Sequence, residues 1–260
     1  HHARRESDMD TPPANLPGDE KPRDATYWAE QTAIFKVTQV RSGALNLNVE
    51  GRHGLSPLQG FGQMWQKVYR VRLDGITVSP AEVIKIWKEN FETFWPKGNR
   101  FHAPLIGIAP GEVAILRIIP GGMPLSTGVM VLYADDETFT LMTPQGHVFA
   151  GWITFSAYED AEGDNTIAQV ELLIRANDPI YEMGLRFGGH KTENKFWEHT
   201  LLALAERFNV KAAVVETRVT CLDPKMQWSE FKNIWQNAAM RTMLYTLTAP
   251  LRWLRKRGKR

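Results

Sequence analysis

Five runs of β-forming residues follow one another between positions 113 and 176, with breaks too short for anything but antiparallel neighbours. The runs are 113–119, 127–134, 138–143, 147–158 and 166–176. Their breaks carry turn chemistry at Pro120-Gly121-Gly122, Ala134-Asp135-Asp136, Pro144-Gln145-Gly146 and 161–165. This pattern specifies a meander. Its last run sets Ala168, Val170, Leu172 and Ile174 on one face against Gln169, Glu171 and Arg175 on the other, so one face of the sheet must be covered.

Helical signals flank the meander. Ser79 stands at an N-cap, Pro80 at the first helical position and Glu82 at the capping-box position; Val83, Ile84, Trp87, Phe91, Phe94 and Trp95 follow at helical spacing until Trp95-Pro96 stops the helix. Just before it, 68–73 reads as a strand with Tyr69, Val71 and Leu73 on one face and Arg70 and Arg72 on the other. After the meander, Asp178-Pro179 opens a second helical start through Ile180, Tyr181, Met183, Leu185 and Phe187. It pauses at Gly188-Gly189 and gives way to a run with Trp197, Leu201, Leu204 and Phe208 in one stripe. Strand, helix, antiparallel meander and long helix predict an α+β fold, in which a curved antiparallel sheet wraps around a long C-terminal helix.

The remainder divides into appendages. Residues 1–26 hold Pro12, Pro13, Pro17 and Pro22 among charges, without apolar periodicity, and are expected to form a disordered leader; His1-His2 resemble the remnant of a purification tag. Residues 27–65 read as an extended lead-in, with a hairpin over 35–49 about Ser42-Gly43. Residues 66–215 form the expected main domain, and 216–260 a C-terminal amphipathic basic helix.

Several chemistries are excluded. With 31 basic and 29 acidic side chains the net charge is +2, so the whole molecule has no field that argues for nucleic acid, and none is expected as partner. Cys221 is the single cysteine, which rules out a disulfide framework and a Cys-rich zinc site and fits a cytoplasmic setting. Prolines and glycines interrupt the longest uncharged stretches, so no spanning helix is expected. Gly60-Phe61-Gly62 continues to Trp65 and a strand where a dinucleotide fingerprint needs glycine and a helix, and 184–192 is one residue off a P-loop and follows a helix. There is no HExxH pair and no nucleophile elbow. No metal and no cofactor is expected.

Three segments together, TVSPAEVIKIWKENFETFWP, HVFAGWITFSAYEDAEGDNTIAQVELLIRAND and DPIYEMGLRFGGHKTENKFWEHTLLALAERFNV, resemble the START-like or SRPBCC superfamily. These are the helix-grip proteins that include birch-pollen-allergen-like plant proteins, polyketide cyclases and lipid-transfer domains. A bacterial branch is resembled in the segment GFGQMWQKVYRVRL. The likeness covers residues 66–210 and lies in element order and the texture of the late hairpin. The lead at 35–65, which could occlude a cavity mouth, and the basic helix after 228 are additions, and Gly188-Gly189 interrupts a helix that is usually continuous. The resemblance implies a cavity between sheet and helix for a hydrophobic small molecule or lipid.

Geometry points to the same place, because a strongly curved sheet and one helix leave space between them. Its expected walls are Ala168, Val170 and Leu172, with His147, Phe149, Ile153 and Phe155 on the partner strand; Phe91, Met183 and Phe187 close it. For each apolar member, filled core remains the alternative to ligand contact. His147, with an ordinary pKa near 6.5, is the candidate for proton transfer, against a solvated turn residue beside Gly146. After Glu230 no acidic residue occurs, while Lys232, Arg241, Arg252, Arg255, Lys256, Arg257, Lys259 and Arg260 are basic. With Trp253 and the apolar stripe around it, Arg252, Arg255, Lys256 and Arg257 suit an anionic membrane surface. The alternatives are a helix docked on the domain and nucleic-acid contact. Three functional readings therefore stand: a carrier of an apolar or amphipathic small molecule, with the inner face of a membrane as a further site of action; a cyclase- or hydrolase-type enzyme using His147; and a structural partner protein whose interior is filled.

Overall fold

The structure, a computed structural model, describes residues 25–31, 33–161, 163, 165–250, 252 and 253. Nine strands among these build one antiparallel sheet. They are β1 (Gly54–Leu55), β2 (Met64–Leu73), β3 (Arg100–His102), β4 (Val113–Ile118), β5 (Leu125–Ala134), β6 (Thr138–Pro144), β7 (Phe149–Glu159), β8 (Thr166–Ala176) and β9 (Val215–Asp223). The order is β3-β4-β5-β6-β7-β8-β2-β9, with β1 on β6. The meander is therefore as the turn chemistry predicts, and the early strand β2 closes against its last member. Trp65, Lys67, Tyr69 and Val71 sit opposite Ile174, Leu172, Val170 and Ala168.

Helix α1 (Pro80–Glu89) begins where the sequence places it, with Ser79 Oγ accepting the Glu82 N–H at 3.2 Å. The expected single helix to Trp95 instead tightens after Asn90 into a 3-10 turn, Phe91–Phe94. Asp178 caps α2 (Pro179–Gly184), its Oδ1 accepting from the N–H groups of Ile180 and Tyr181. A π turn, Leu185–Gly189, with Gly188 at φ +108°, separates α2 from the long helix α3 (His190–Arg207). α3 lies along β2 and β9 and buries Trp197, Leu201, Leu204 and Ala205 in the main core, while α1 covers β7 and β8 with Val83, Ile84 and Trp87. The arrangement is an α+β helix grip.

Three expectations need correction. The hairpin over 35–49 does not form a ladder; the chain there is irregular, turns at Asn48 (φ +63°), and pairs only locally, Phe35 with Arg52 and Gly51. It does not occlude a mouth between sheet and helix either. Phe35 and Val49 pack on Val113, Ile115 and Met130, whose parity puts them on the opposite face of the sheet from Ala114 and Leu116 of the main core. The segment after 216 is not one helix. Residues 215–223 are β9, paired to the free edge of β2, and are followed by a 3-10 stretch, Trp228–Gln236, and α4 (Ala238–Leu247). The chain breaks at Asn237, which caps α4 by accepting the Met240 N–H, and α4 itself ends at Leu247. Of the leader, residues 1–24 lie outside the described residues.

Candidate functional site

Where a cavity is expected, aromatic rings meet one another. Phe155 on β7 stacks on Phe139 at 4.6 Å between centroids and is met edge-on by Phe91 at 5.0 Å, Trp87 at 5.3 Å and Trp197 at 5.7 Å. Phe91, Ile153, Phe155, Ala168, Val170 and Leu172 are thus brought together, all buried in one core, with Phe149 half-buried against it. Two open clefts, of about 580 Å³ beside α1 and about 450 Å³ between the lead-in and β5, lie outside this core, and neither is lined by the predicted wall residues.

Met183 and Phe187 are not brought in. They are 56% and 85% exposed, because α2 turns Tyr181 and Leu185 towards Val148, Ala176 and Ala238 and leaves positions two residues further on facing water. His147 is buried, and its Nδ1 accepts the Phe149 N–H at 3.1 Å. Burial pushes the imidazole down to about 4, so at neutral pH it is an uncharged acceptor of a backbone hydrogen bond.

The polar chemistry of the interior lies instead between β2 and the first turns of α3. Lys67 shares the inward parity of Tyr69, Val71 and Leu73, and its side chain is out of contact with water. Its Nζ meets Glu193 Oε2 at 2.5 Å and Asn194 Oδ1 at 3.3 Å, and Asn194 Oδ1 also accepts from Tyr69 Oη at 2.7 Å. His190 lies on the ring of Trp65 at 4.9 Å. Burial raises the Glu193 carboxyl, and the ammonium of Lys67 opposes that rise. Burial, then the charges of Glu193 and Glu198, raise the Tyr69 phenol; burial, then the cations Lys67 and Arg186, push His190 down to about 4.

Four buried polar atoms of this cluster have no hydrogen-bond partner: Trp65 Nε1, His190 Nδ1, Glu193 Oε1 and Trp197 Nε1. The Trp197 indole lies near enough to lower the Glu193 carboxyl without a hydrogen bond of normal geometry. Sequence reasoning passed over Lys67 and Glu193 although both signals were present: a lysine on the apolar parity of an alternating strand, and a glutamate one helical turn before Trp197 on the buried stripe of α3. Among the described residues no group of three or more His, Cys, Asp or Glu is placed to hold a metal ion.

Element order, the capped early helix and a long late helix held on one antiparallel sheet make this an α+β fold. A START superfamily protein from Mycobacterium smegmatis is similar over 57% of this chain and 98% of its own, at 21% identity and a TM-score of 0.39. Ginseng major latex-like protein 151 from Panax ginseng is similar over 56% of this chain and 98% of its own, at 12% identity and a TM-score of 0.35. The di-domain ARO/CYC StfQ from the steffimycin biosynthetic pathway is similar over 57% of this chain and 53% of its own, at 10% identity and a TM-score of 0.41. No protein-family model and no curated protein matches the chain.

Of the residues expected at a membrane surface, Trp253 is 53% exposed and Arg252 places its guanidinium 3.6 Å over the Tyr245 ring. Arg255, Lys256 and Arg257 lie outside the described residues. Among the described residues no helix is long and apolar enough to cross a membrane.

Proposed function

We propose that the protein binds an apolar or amphipathic small molecule between the sheet and α3, at the end where Lys67 meets Glu193, and that it does so beside a membrane surface. The observation that carries this reading is the set of four orphaned buried atoms, Trp65 Nε1, His190 Nδ1, Glu193 Oε1 and Trp197 Nε1, around one ion pair. Buried donors and acceptors are nearly always satisfied, so two indole donors, an imidazole nitrogen and a carboxylate oxygen left without partners favour a polar guest. A ligand hydroxyl or carbonyl would accept from an indole N–H, and a ligand hydroxyl would donate to Glu193. Trp65 beside His190 and Phe196 beside Trp197 suit an apolar body. Because rings fill the deep part of the grip, the bound molecule is small. The exposed apolar residues of α4 and the basic sequence that follows it support the membrane setting.

An enzyme of cyclase or hydrolase type in the same place would use Glu193, raised by burial and held against Lys67, in preference to His147. The test is titration with a neutral apolar fluorescent probe, N-phenyl-1-naphthylamine, of the parent protein and of Trp65→Ala and Glu193→Gln variants, each checked for fold by circular dichroism. Folded variants should bind about tenfold more weakly. A parent protein that takes up no probe and carries no small molecule in native mass spectrometry would overturn the reading.

A further inference from the structure

The second half of α4 is a helix that the rest of the chain leaves uncovered. Ala238 and Thr242 anchor its first half; Thr242 Oγ1 accepts from the Ser126 N–H at 3.2 Å and from Asn48 Nδ2 at 3.4 Å. From Met243 to Pro250 every residue is exposed and none is charged, with Leu244 58% and Leu247 69% exposed. A soluble surface helix carries its polar residues outward, and this one carries leucine, methionine and tyrosine. The stretch before it adds Trp228, 69% exposed and stacked on Phe231, and Trp235, 82% exposed. Directly after it the sequence runs to six basic residues between 252 and 260 and no acidic one.

We propose that α4 from Met243 onward seats in the headgroup and outer acyl region of an anionic bilayer, Leu244 and Leu247 supplying apolar contact and the basic residues that follow meeting lipid phosphates. The charge pattern selects the occupant. A second copy of this chain would bring the same excess of positive charge to the contact, whereas an anionic lipid surface complements it at about 1 kcal/mol per Lys or Arg near the surface. Neither half suffices alone, because apolar contact without charge gives no preference for anionic lipid, and charge without contact is screened over roughly 8 Å at physiological ionic strength. The inference rests on the reading that the protein works beside a membrane, and names the element that makes the contact.

The experiment is co-sedimentation of the full chain with vesicles of phosphatidylcholine alone and of phosphatidylcholine with phosphatidylglycerol, at low and high salt. It compares the parent with Leu244→Glu/Leu247→Glu and with Arg255→Gln/Lys256→Gln/Arg257→Gln. The substituted leucines touch little of the domain, so both variants should keep the parent's circular dichroism and melting temperature. The parent should bind anionic vesicles and lose binding as salt rises, and each variant should bind about tenfold more weakly. Parent-level binding by the leucine variant would overturn the seating of α4 while leaving the membrane reading in place. A parent that ignores vesicles overturns both, whether light scattering then shows a dimer that the leucine variant loses or DNA binding appears with a steep salt slope.

Discussion

Lys67 on β2 and Glu193 on α3 form an ion pair of 2.5 Å with both side chains almost wholly out of water, so the sheet and its helix are joined by charges inside an otherwise apolar layer. Such a pair contributes little net stability, because desolvation opposes the attraction, but removing one partner strands the other. Lys67→Met is therefore expected to cost about 3–5 kcal/mol in urea unfolding. Lys67→Met combined with Glu193→Gln should recover a large part of that loss, and a double variant as unstable as the sum of the two singles would show that the groups do not act as a pair.

The rings around Phe155 set a second expectation. Phe155→Ala removes a side chain in contact with Phe139, Phe91, Trp87 and Trp197 and should cost about 3–5 kcal/mol by denaturant unfolding. Val170, fully buried and opposite Phe155 on β8, offers no room for a larger group. Val170→Trp should overpack the layer and lower the melting point; a variant as stable as the parent would reveal space that the rings leave open.

His147 predicts a pH dependence. In the unfolded chain its imidazole takes up a proton near its ordinary value of 6.5, and in the folded protein only near 4. Between those values the unfolded state binds more protons, so the stability held by the neutral imidazole is present above pH 6.5 and is lost as pH falls towards 4. Glu193 and Asp178, both raised by burial, act with the opposite sign, their contribution falling as pH rises above the ordinary carboxylate range. Replacing His147 by Gln keeps an acceptor for the Phe149 N–H and removes the proton. Between pH 6.5 and pH 4 the parent should lose roughly 3 kcal/mol more than His147→Gln, read from unfolding curves at each pH.

Gly146 carries the docking of the C-terminal segment. It turns at φ +84°, its carbonyl accepts the Ala238 N–H at 2.9 Å, and a Cβ there would stand 2.0 Å from the Gln236 carbonyl oxygen. Gly146→Ala should loosen the 3-10 stretch and α4 without unfolding the sheet, seen as faster amide exchange over 236–248 while β7 and β8 keep their protection.

What could be read from the chain follows burial and punctuation. The meander is legible because each turn has its own residues, and α1 and α2 because Ser79-Pro80 and Asp178-Pro179 mark their starts. β9 is not, since as an edge strand it leaves most of Val215 to Asp223 exposed and its side chains show no clean two-residue alternation of apolar and polar. The cavity assignment failed to separate wall from filling for a physical reason. Inward parity fixes that Phe155 and Leu172 face the helix, but only the simultaneous placement of Phe91, Phe139, Trp87 and Trp197 decides that the space is occupied. Met183 and Phe187 face water because the buried side of this segment runs through Tyr181 and Leu185, and apolar residues at 180, 181, 183, 185 and 187 do not single out one face.

The position of β2 between β8 and β9 has a consequence for synthesis. A strand made early, at 64–73, receives its two neighbours only from 166–176 and 215–223, so its hydrogen-bonding groups stay open while most of the chain is being translated. The sheet cannot zip up in order of emergence; two late strands complete it, one on each side of a strand that has waited. Such long-range closure is slow, and an open strand with Tyr69, Val71 and Leu73 along one side is a template for pairing with other chains. A chain halted between α3 and β9 would hold a nearly complete core and still present one bare edge, which makes that interval the stretch of translation most exposed to aggregation.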